Sequence, residues 1–291
     1  MLTWQDMANA LKELGVEQGD FVLVHSSFKS LGPTENGADT VVKGLQAAVG
    51  EAGTVIFPTL CQKDWEHVYE NWHLDAESDV GYLTNYFRKL PGAYRSDQAS
   101  HSVAAMGKDA QWLTQTHGKS GLRYGIFGDS PFAADSPWEK MYHRNTKVLF
   151  VGVGIRKCTF RHYAEYCFME EYLEKAKQGI RRKALQEGKT AEQAESEFAA
   201  MKARLWHYDR WSQGGVWPHV DSVYVLEKLE EQGKVRRGKC GEADVIMVSA
   251  GDFVDVTYEL LEKRDLGVFW VDTKTWDVPM TLDWLKKVDE L

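Results

Sequence analysis

The stretch Lys147–Tyr166, KVLFVGVGIRKCTFRHYAEY, constrains the fold more than any other part of the chain. Val148, Leu149, Phe150 and Val151 form an unbroken apolar run that reads as a buried strand. Gly152 and Gly154 end the run and permit a tight turn. Thr159 then stands where a helix N-cap is expected. Thr159, His162 and Glu165 recur at intervals of three, which puts them on one face of that helix. A hydroxyl, an imidazole and a carboxylate are thereby carried to the mouth of a strand-turn-helix unit. An imidazole can move a proton at neutral pH. A capped helix with a surface histidine is the plainer reading of the same spacing.

The rest of the chain repeats the alternation. Thr3 caps a helix over 3–14 that Gly15 ends, and buried strands are expected at Phe21–Val24 and Thr54–Phe57. Helices are expected at Ala38–Val49 and over 80–90. This order predicts an α/β fold with active groups at strand ends. Residues Glu170–Arg204 are rich in Glu, Lys, Ala and Gln and read as one or two long exposed helices, an inserted arm without evident chemistry.

The formal charge of −8 and the lack of a basic stripe argue against nucleic acid as a partner. Cys61, Cys158, Cys167 and Cys240 follow no metal-binding or redox spacing and read as reduced thiols, as in a cytoplasmic protein. No apolar run reaches membrane-spanning length, and the acidic, amphipathic N-terminus does not read as a signal peptide. A homodimer is left open. From Asp64 to Asp79 there are six acids and no Lys or Arg, interleaved with Trp65, Tyr69 and Trp72. Carboxylates and aromatic faces are how a site holds a cationic sugar, and Asp64, Glu66, Trp65, Trp72 and Asp79 are the candidates, with Asp209 from the later aromatic run. A solvated loop with a few packing aromatics fits equally.

Five segments occur together in order: HSSFKSLG (His25–Gly32), RSDQASHSVAAMG (Arg95–Gly107), SPWEKMY (Ser136–Tyr142), VGVG with CTFRHYAE, and GKCGEADVIMVSAGDFVD (Gly238–Asp255). Together they resemble the aminoglycoside 3-N-acetyltransferase family, the antibiotic acetyltransferase fold that is distinct from the small GNAT enzymes. The resemblance runs from about residue 3 to 265. It implies one acetyltransferase domain over 1–291, a central mixed sheet flanked by helices, with a helical insertion at about 168–213. It also implies acetyl transfer from acetyl-CoA, without a metal, to a primary amine, the 3-amino group of an aminoglycoside. His162 is then the general base, accompanied by Glu165 and Thr159. His25, Ser26, Ser27, Lys29, Ser30 and Gly32 would seat the cofactor, together with Arg95, Ser96 and Ser102. The chain departs from the family at Gln98-Ala99, where His-Pro or Asn-Pro is frequent, and at Asn85, where many members carry Glu.

The chemistry suits these residues. Acyl transfer needs a deprotonated amine and donors for the oxyanion, and a thioester needs no enzymic nucleophile. Three other readings stay open. His162 and Glu165 with His101 or His143 offer metal ligands. A non-catalytic binding relative is a second. An acetyltransferase of a biosynthetic amino sugar or other small amine is the third.

Overall fold

A computed structural model of the 291-residue chain describes residues 1–64, 67–68, 70–117, 130–205, 216–270 and 278–291. Trp65, Glu66 and Asp209 lie outside the described residues. Seven strands make one mixed sheet: β1 (Phe21–Ser26), β2 (Thr54–Pro58), β3 (Tyr94–Arg95), β4 (Val103–Gly107), β5 (Lys147–Val151), β6 (Arg236–Cys240) and β7 (Ala243–Ser249). Their order is β3-β4-β2-β1-β5-β7-β6. β1 pairs in parallel with β2 and β5, and every other pairing is antiparallel.

Side chains alternate across a strand, so a sheet covered on both faces divides its apolar residues between two cores. Leu23, Ile56, Val148, Phe150 and Val248 point to one core. Val22, Val55, Phe57, Leu149 and Val151 point to the other. The second face is covered by α1 (Trp4–Glu13) and α2 (Ala38–Val49), through Met7, Leu11, Val41 and Leu45. Thr3 and Asp6 close a capping box at the start of α1. Next along the chain, α3 (Tyr82–Phe87) is shorter than the expected 80–90. Gly81 enters it at φ +123°.

The first face carries α4 (Ala110–Thr114), α5 (Pro137–His143), α6 (Phe160–Gln186), α8 (Ser222–Glu231), α9 (Ala250–Glu262) and α10 (Val278–Asp289). The 27 residues of α6 begin at the turn after β5 and continue without a break into the first half of the expected arm. α7 (Ala191–Lys202) folds back on it through Ala194 and Phe198. The arm is therefore not simply exposed. Tyr172, Leu173, Ala176, Ile180 and Ala184 recur every three or four residues and enter the same core as the sheet. Composition had hidden this stripe beneath the surrounding Glu and Lys. Gly179 sits where a Cβ would come within 2.6 Å of the Leu291 side chain, so a helix-weakening residue here serves close packing.

Trp138 in α5 links the core to the site. Its ring is fully buried and lies edge-on to Phe160 at 5.4 Å. Its indole N–H donates to the His101 carbonyl at 3.0 Å. Replacing it with Ala leaves a cavity and an unpaired acceptor, and Trp138→Ala is expected to cost about 3–5 kcal/mol. Urea unfolding of the two proteins checks this; a loss below about 1 kcal/mol would show that the ring is not an anchor.

Candidate active site

The carboxyl ends of β1, β2 and β5 open into a cleft of about 540 Å3. β1 contributes His25 and Ser26, β2 contributes Pro58, and the β5–α6 turn contributes Arg156, Lys157, Cys158, Thr159, Arg161 and His162. Gln62, Asp79, Thr84 and His101 complete its polar lining among the described residues. The turn after β5 depends on Gly152 at φ +64°. A Cβ there would lie 1.7 Å from Ser30 Oγ, so glycine alone lets the two turns meet.

His162 sits in the first turn of α6 with its side chain one quarter exposed, and Glu165 lies one turn deeper at 1%. The His162 Nδ1–H donates to Glu165 Oε2 at 2.9 Å. The same oxygen accepts the Trp217 indole N–H at 3.2 Å, and Oε1 accepts the Val220 N–H at 2.8 Å. His219 Nδ1 lies 3.7 Å from Oε1. Burial alone would raise this carboxyl's pKa, but the neighbouring His162 and His219 and the hydrogen bond from His162 bring it down to about 2. Glu165 is therefore an anion that fixes the imidazole's tautomer: a proton on Nδ1 leaves the lone pair on Nε2. Arg161 Nε donates to that Nε2 at 3.3 Å.

Thr159 lines the cleft but is not the cap the spacing predicts. Its backbone is already helical (φ −72°, ψ −22°) and its side chain makes no cap bond. The extended residue is Cys158 (φ −67°, ψ 108°), one position earlier, between the 3-10 turn Ile155–Lys157 and Thr159. The Thr159 carbonyl accepts the His162 N–H at 3.0 Å.

His25 and Ser26 belong to the end of β1. The His25 ring is 7% exposed, stacks flat on Phe150 at 5.1 Å, and has no hydrogen-bond partner for Nε2. Burial brings it down to about 3, so it is neutral. Ser27, Lys29, Ser30 and Gly32 lie on the adjoining turn, outside the lining. There the Ser27 N–H donates to Val151 and Ser30 Oγ donates to the Ser27 carbonyl at 2.7 Å.

Arg95, Ser96 and Ser102 lie outside the lining, with their polar atoms committed within the fold. The Arg95 guanidinium donates to the carbonyls of Thr59, Leu74 and Ala76 and lies 4.6 Å over the Trp72 ring. Ser102 Oγ donates to the Thr59 carbonyl, and Ser96 Oγ accepts the Val103 N–H and contacts His117 Nδ1. A half-buried guanidinium is stable only when its N–H groups are satisfied, and this one ties the acidic loop to β2.

The acids of that loop are also largely engaged. Asp64 contacts His67 and Asn71, and Glu77 pairs with Lys89. Trp72 is buried with its N–H on Asp97. Asp79 alone among them lines the cleft, and its carboxylate accepts the N–H groups of Gln62 and Lys63. The loop has no cation of its own, but Lys63, Lys89 and Arg95 from flanking segments supply the charge. Asn85 accepts the Ser78 N–H, and Gln98 receives the His101 N–H, so both family departures fill structural places.

His101, Arg156, Lys157 and Arg161 are functional candidates that the sequence reading passed over or used only for a metal site. The three cations stood within the opening motif, but only the helical register shows that they face the cleft. His101 lies 6.0 Å from the His162 ring, and burial first, then His162, lowers its pKa well below the ordinary value. Burial pushes the Cys158 thiol up to about 12, so it lines the cleft as a neutral group. Among the described residues no three His, Cys, Asp or Glu side chains converge as metal ligands.

The buried groups set an acid dependence. Glu165 binds its proton at lower pH when folded, so its contribution is full above about 4.5 and is lost as the pH falls toward 2. His25 and His117, both held near 3, contribute stability that is full above 6.5 and lost as the pH falls toward 3. Melting temperature should therefore decline from pH 6.5 downward. The gap between wild type and Glu165→Gln should narrow between pH 4.5 and 2; a gap independent of pH in calorimetry would contradict an ionised Glu165.

The family profile described as aminoglycoside 3-N-acetyltransferase matches residues 23–262. Aminoglycoside N(3)-acetyltransferase III of Salmonella sp is 32% identical over 182 residues, 57% of this chain and 60% of the relative. The chain thus spans about three fifths of that relative's length. Aminoglycoside N(3)-acetyltransferase VII of Streptomyces paromomycinus is 26% identical over 296 residues, 92% of this chain and 91% of the relative. Among solved structures, a binary complex of AAC-IIIb with CoASH superposes with TM-score 0.64 at 21% identity, over 90% of this chain and 97% of that one. Sisomicin-bound AAC-VIa gives TM-score 0.63 at 21% identity, over 90% and 98%. The mixed sheet and its helices are the fold of these acetyltransferases, and with the profile spanning most of its length the chain belongs to the aminoglycoside 3-N-acetyltransferase family.

Proposed function

We propose that this protein transfers the acetyl group of acetyl-CoA to a primary amine of an aminosugar, with His162 as general base. The 3-amino group of an aminoglycoside is the acceptor indicated by the names of its relatives. The observation that carries the reading is the His162–Glu165 pair at the cleft where β1 and β5 end.

An amine attacks a thioester only as the neutral base, so the ammonium form first gives one proton to solvent. As the neutral nitrogen bonds to the carbonyl carbon, Nε2 of His162 takes a second proton from it. Glu165, ionised and clasped by Trp217 and Val220, stabilises the imidazolium that forms. The tetrahedral intermediate collapses with loss of the CoA thiolate, and the imidazolium returns the proton to sulfur. His25 lines the cleft and carries a buried, unpartnered ring nitrogen, and Ser26 adjoins it. These two residues suit the thioester end of the donor, with Ser27, Lys29, Ser30 and Gly32 next along its path. Arg95, Ser96 and Ser102 then support the site from behind, and Asp79 is placed to meet an acceptor ammonium.

Thiol release from acetyl-CoA over a panel of aminoglycosides and amino sugars tests the activity. His162→Ala should lower kcat by about 10²–10⁴-fold with CoA affinity retained in calorimetry. Turnover near wild type in a folded His162→Ala variant would remove the base assignment.

A further inference from the structure

The cleft is electrostatically lopsided. Arg156, Lys157 and Arg161 all line it, against one lining carboxylate, Asp79, among the described residues. That carboxylate is already engaged by two backbone N–H groups and by Lys63 at 3.6 Å. None of the three cations forms an ion pair with a described residue, whereas Arg181 of α6 pairs with Glu195 and Arg237 of β6 pairs with Glu230. Three like charges, two on the turn after β5 and one in the first turn of α6, repel one another, and a low-dielectric wall focuses their field into the cleft. The guanidinium groups of Arg156 and Arg161 lie 5.9 and 5.3 Å over the same ring, Trp270, which restricts both.

We propose that Arg156, Lys157 and Arg161 form a phosphate-recognition subsite and that the acceptor amine carries a phosphate group. This rests on the acetyltransferase reading and keeps its aminosugar acceptor, but puts a phosphorylated aminosugar in place of the polycationic aminoglycoside that the relatives' names indicate. Two arginine forks and an ammonium match a dianion with three acceptor oxygens. The position selects the acceptor over the donor. Arg161 Nε is 3.3 Å from His162 Nε2, the atom that must receive the amine's proton. The phosphates of CoA lie a whole pantetheine arm away from the thioester, so a cation in contact with His162 is out of their reach while the acetyl group is there. An acceptor phosphate also draws Arg161 away from Nε2 and frees the lone pair for the amine. A polycationic acceptor offers no such exchange and meets the three charges as repulsion.

The test compares glucosamine, glucosamine 6-phosphate, glucosamine 1-phosphate and a deoxystreptamine aminoglycoside in the thiol-release assay. At least one phosphate ester should exceed glucosamine about tenfold or more in kcat/KM. That ratio should shrink toward one in the double variant Arg156→Gln/Lys157→Gln and in Arg161→Gln, and should fall with added salt in wild type. Calorimetry should show the same CoA affinity in wild type and variants. The proposal is overturned if glucosamine or the aminoglycoside matches the phosphate esters, or if the ratio survives the substitutions. It is also overturned if the variants weaken CoA binding instead, because the subsite would then serve the donor. If no amine is acetylated, the underlying activity fails, and the subsite is still decided by calorimetry. Tighter binding of the phosphate esters than of glucosamine, lost in the variants, upholds it, and equal binding rejects it.

Discussion

One buried negative charge organises the site. Glu165 is almost wholly excluded from solvent, and an isolated carboxylate in that position would cost several kcal/mol. It is kept ionised by converging donors: a ring nitrogen one helical turn away, an indole and a backbone amide. Each donor comes at a structural cost of its own. The indole and the amide require the 216–220 segment to lie against α6, which is why Trp217, His219 and Val220 are all buried. The imidazole requires α6 to start immediately after the β5 turn, and that turn requires a residue without a side chain at Gly152. A charge in the interior thus dictates the placement of a helix, a turn and a distant segment.

Much of the architecture was legible because it is local. The boundaries of α2 agree with the expectation residue for residue, and the strands differ by a residue or two at their ends. The His162–Glu165 contact was legible for the same reason, since a three-residue spacing on a helix is a distance. The partners that make Glu165 an anion were not, because Trp217 and Val220 lie over fifty residues away and nothing in WPHV announces a carboxylate. Arg95 shows the converse limit. A cation beside serines in a family motif suggests a ligand's phosphate, whereas its N–H groups are consumed by three carbonyls that only the folded loop brings together. Net composition misled in the same way at 170–204, where a buried apolar stripe is diluted by exposed charge on the other faces.

The acidic stretch and the basic turn are instructive together. In sequence the first stands out and the second disappears into a hydrophobic motif. In three dimensions Asp64, Glu77 and Asp79 are bonded to neighbouring amides and cations, while the cations after β5 line open volume. Unneutralised charge, rather than abundant charge, sets the potential a ligand meets.

The division of the sheet into two cores has a further consequence. The clasp on Glu165 and the imidazole that it orients lie on the α6 side, while α1 and α2 fill the opposite side. The sheet acts as a partition, so sequence drift in the α1–α2 layer is filtered only by how well that layer packs. Substitutions confined to α1 and α2 are therefore screened from the chemistry, whereas the strand and turn between them, His25 to Gly32, adjoin the cleft and are not.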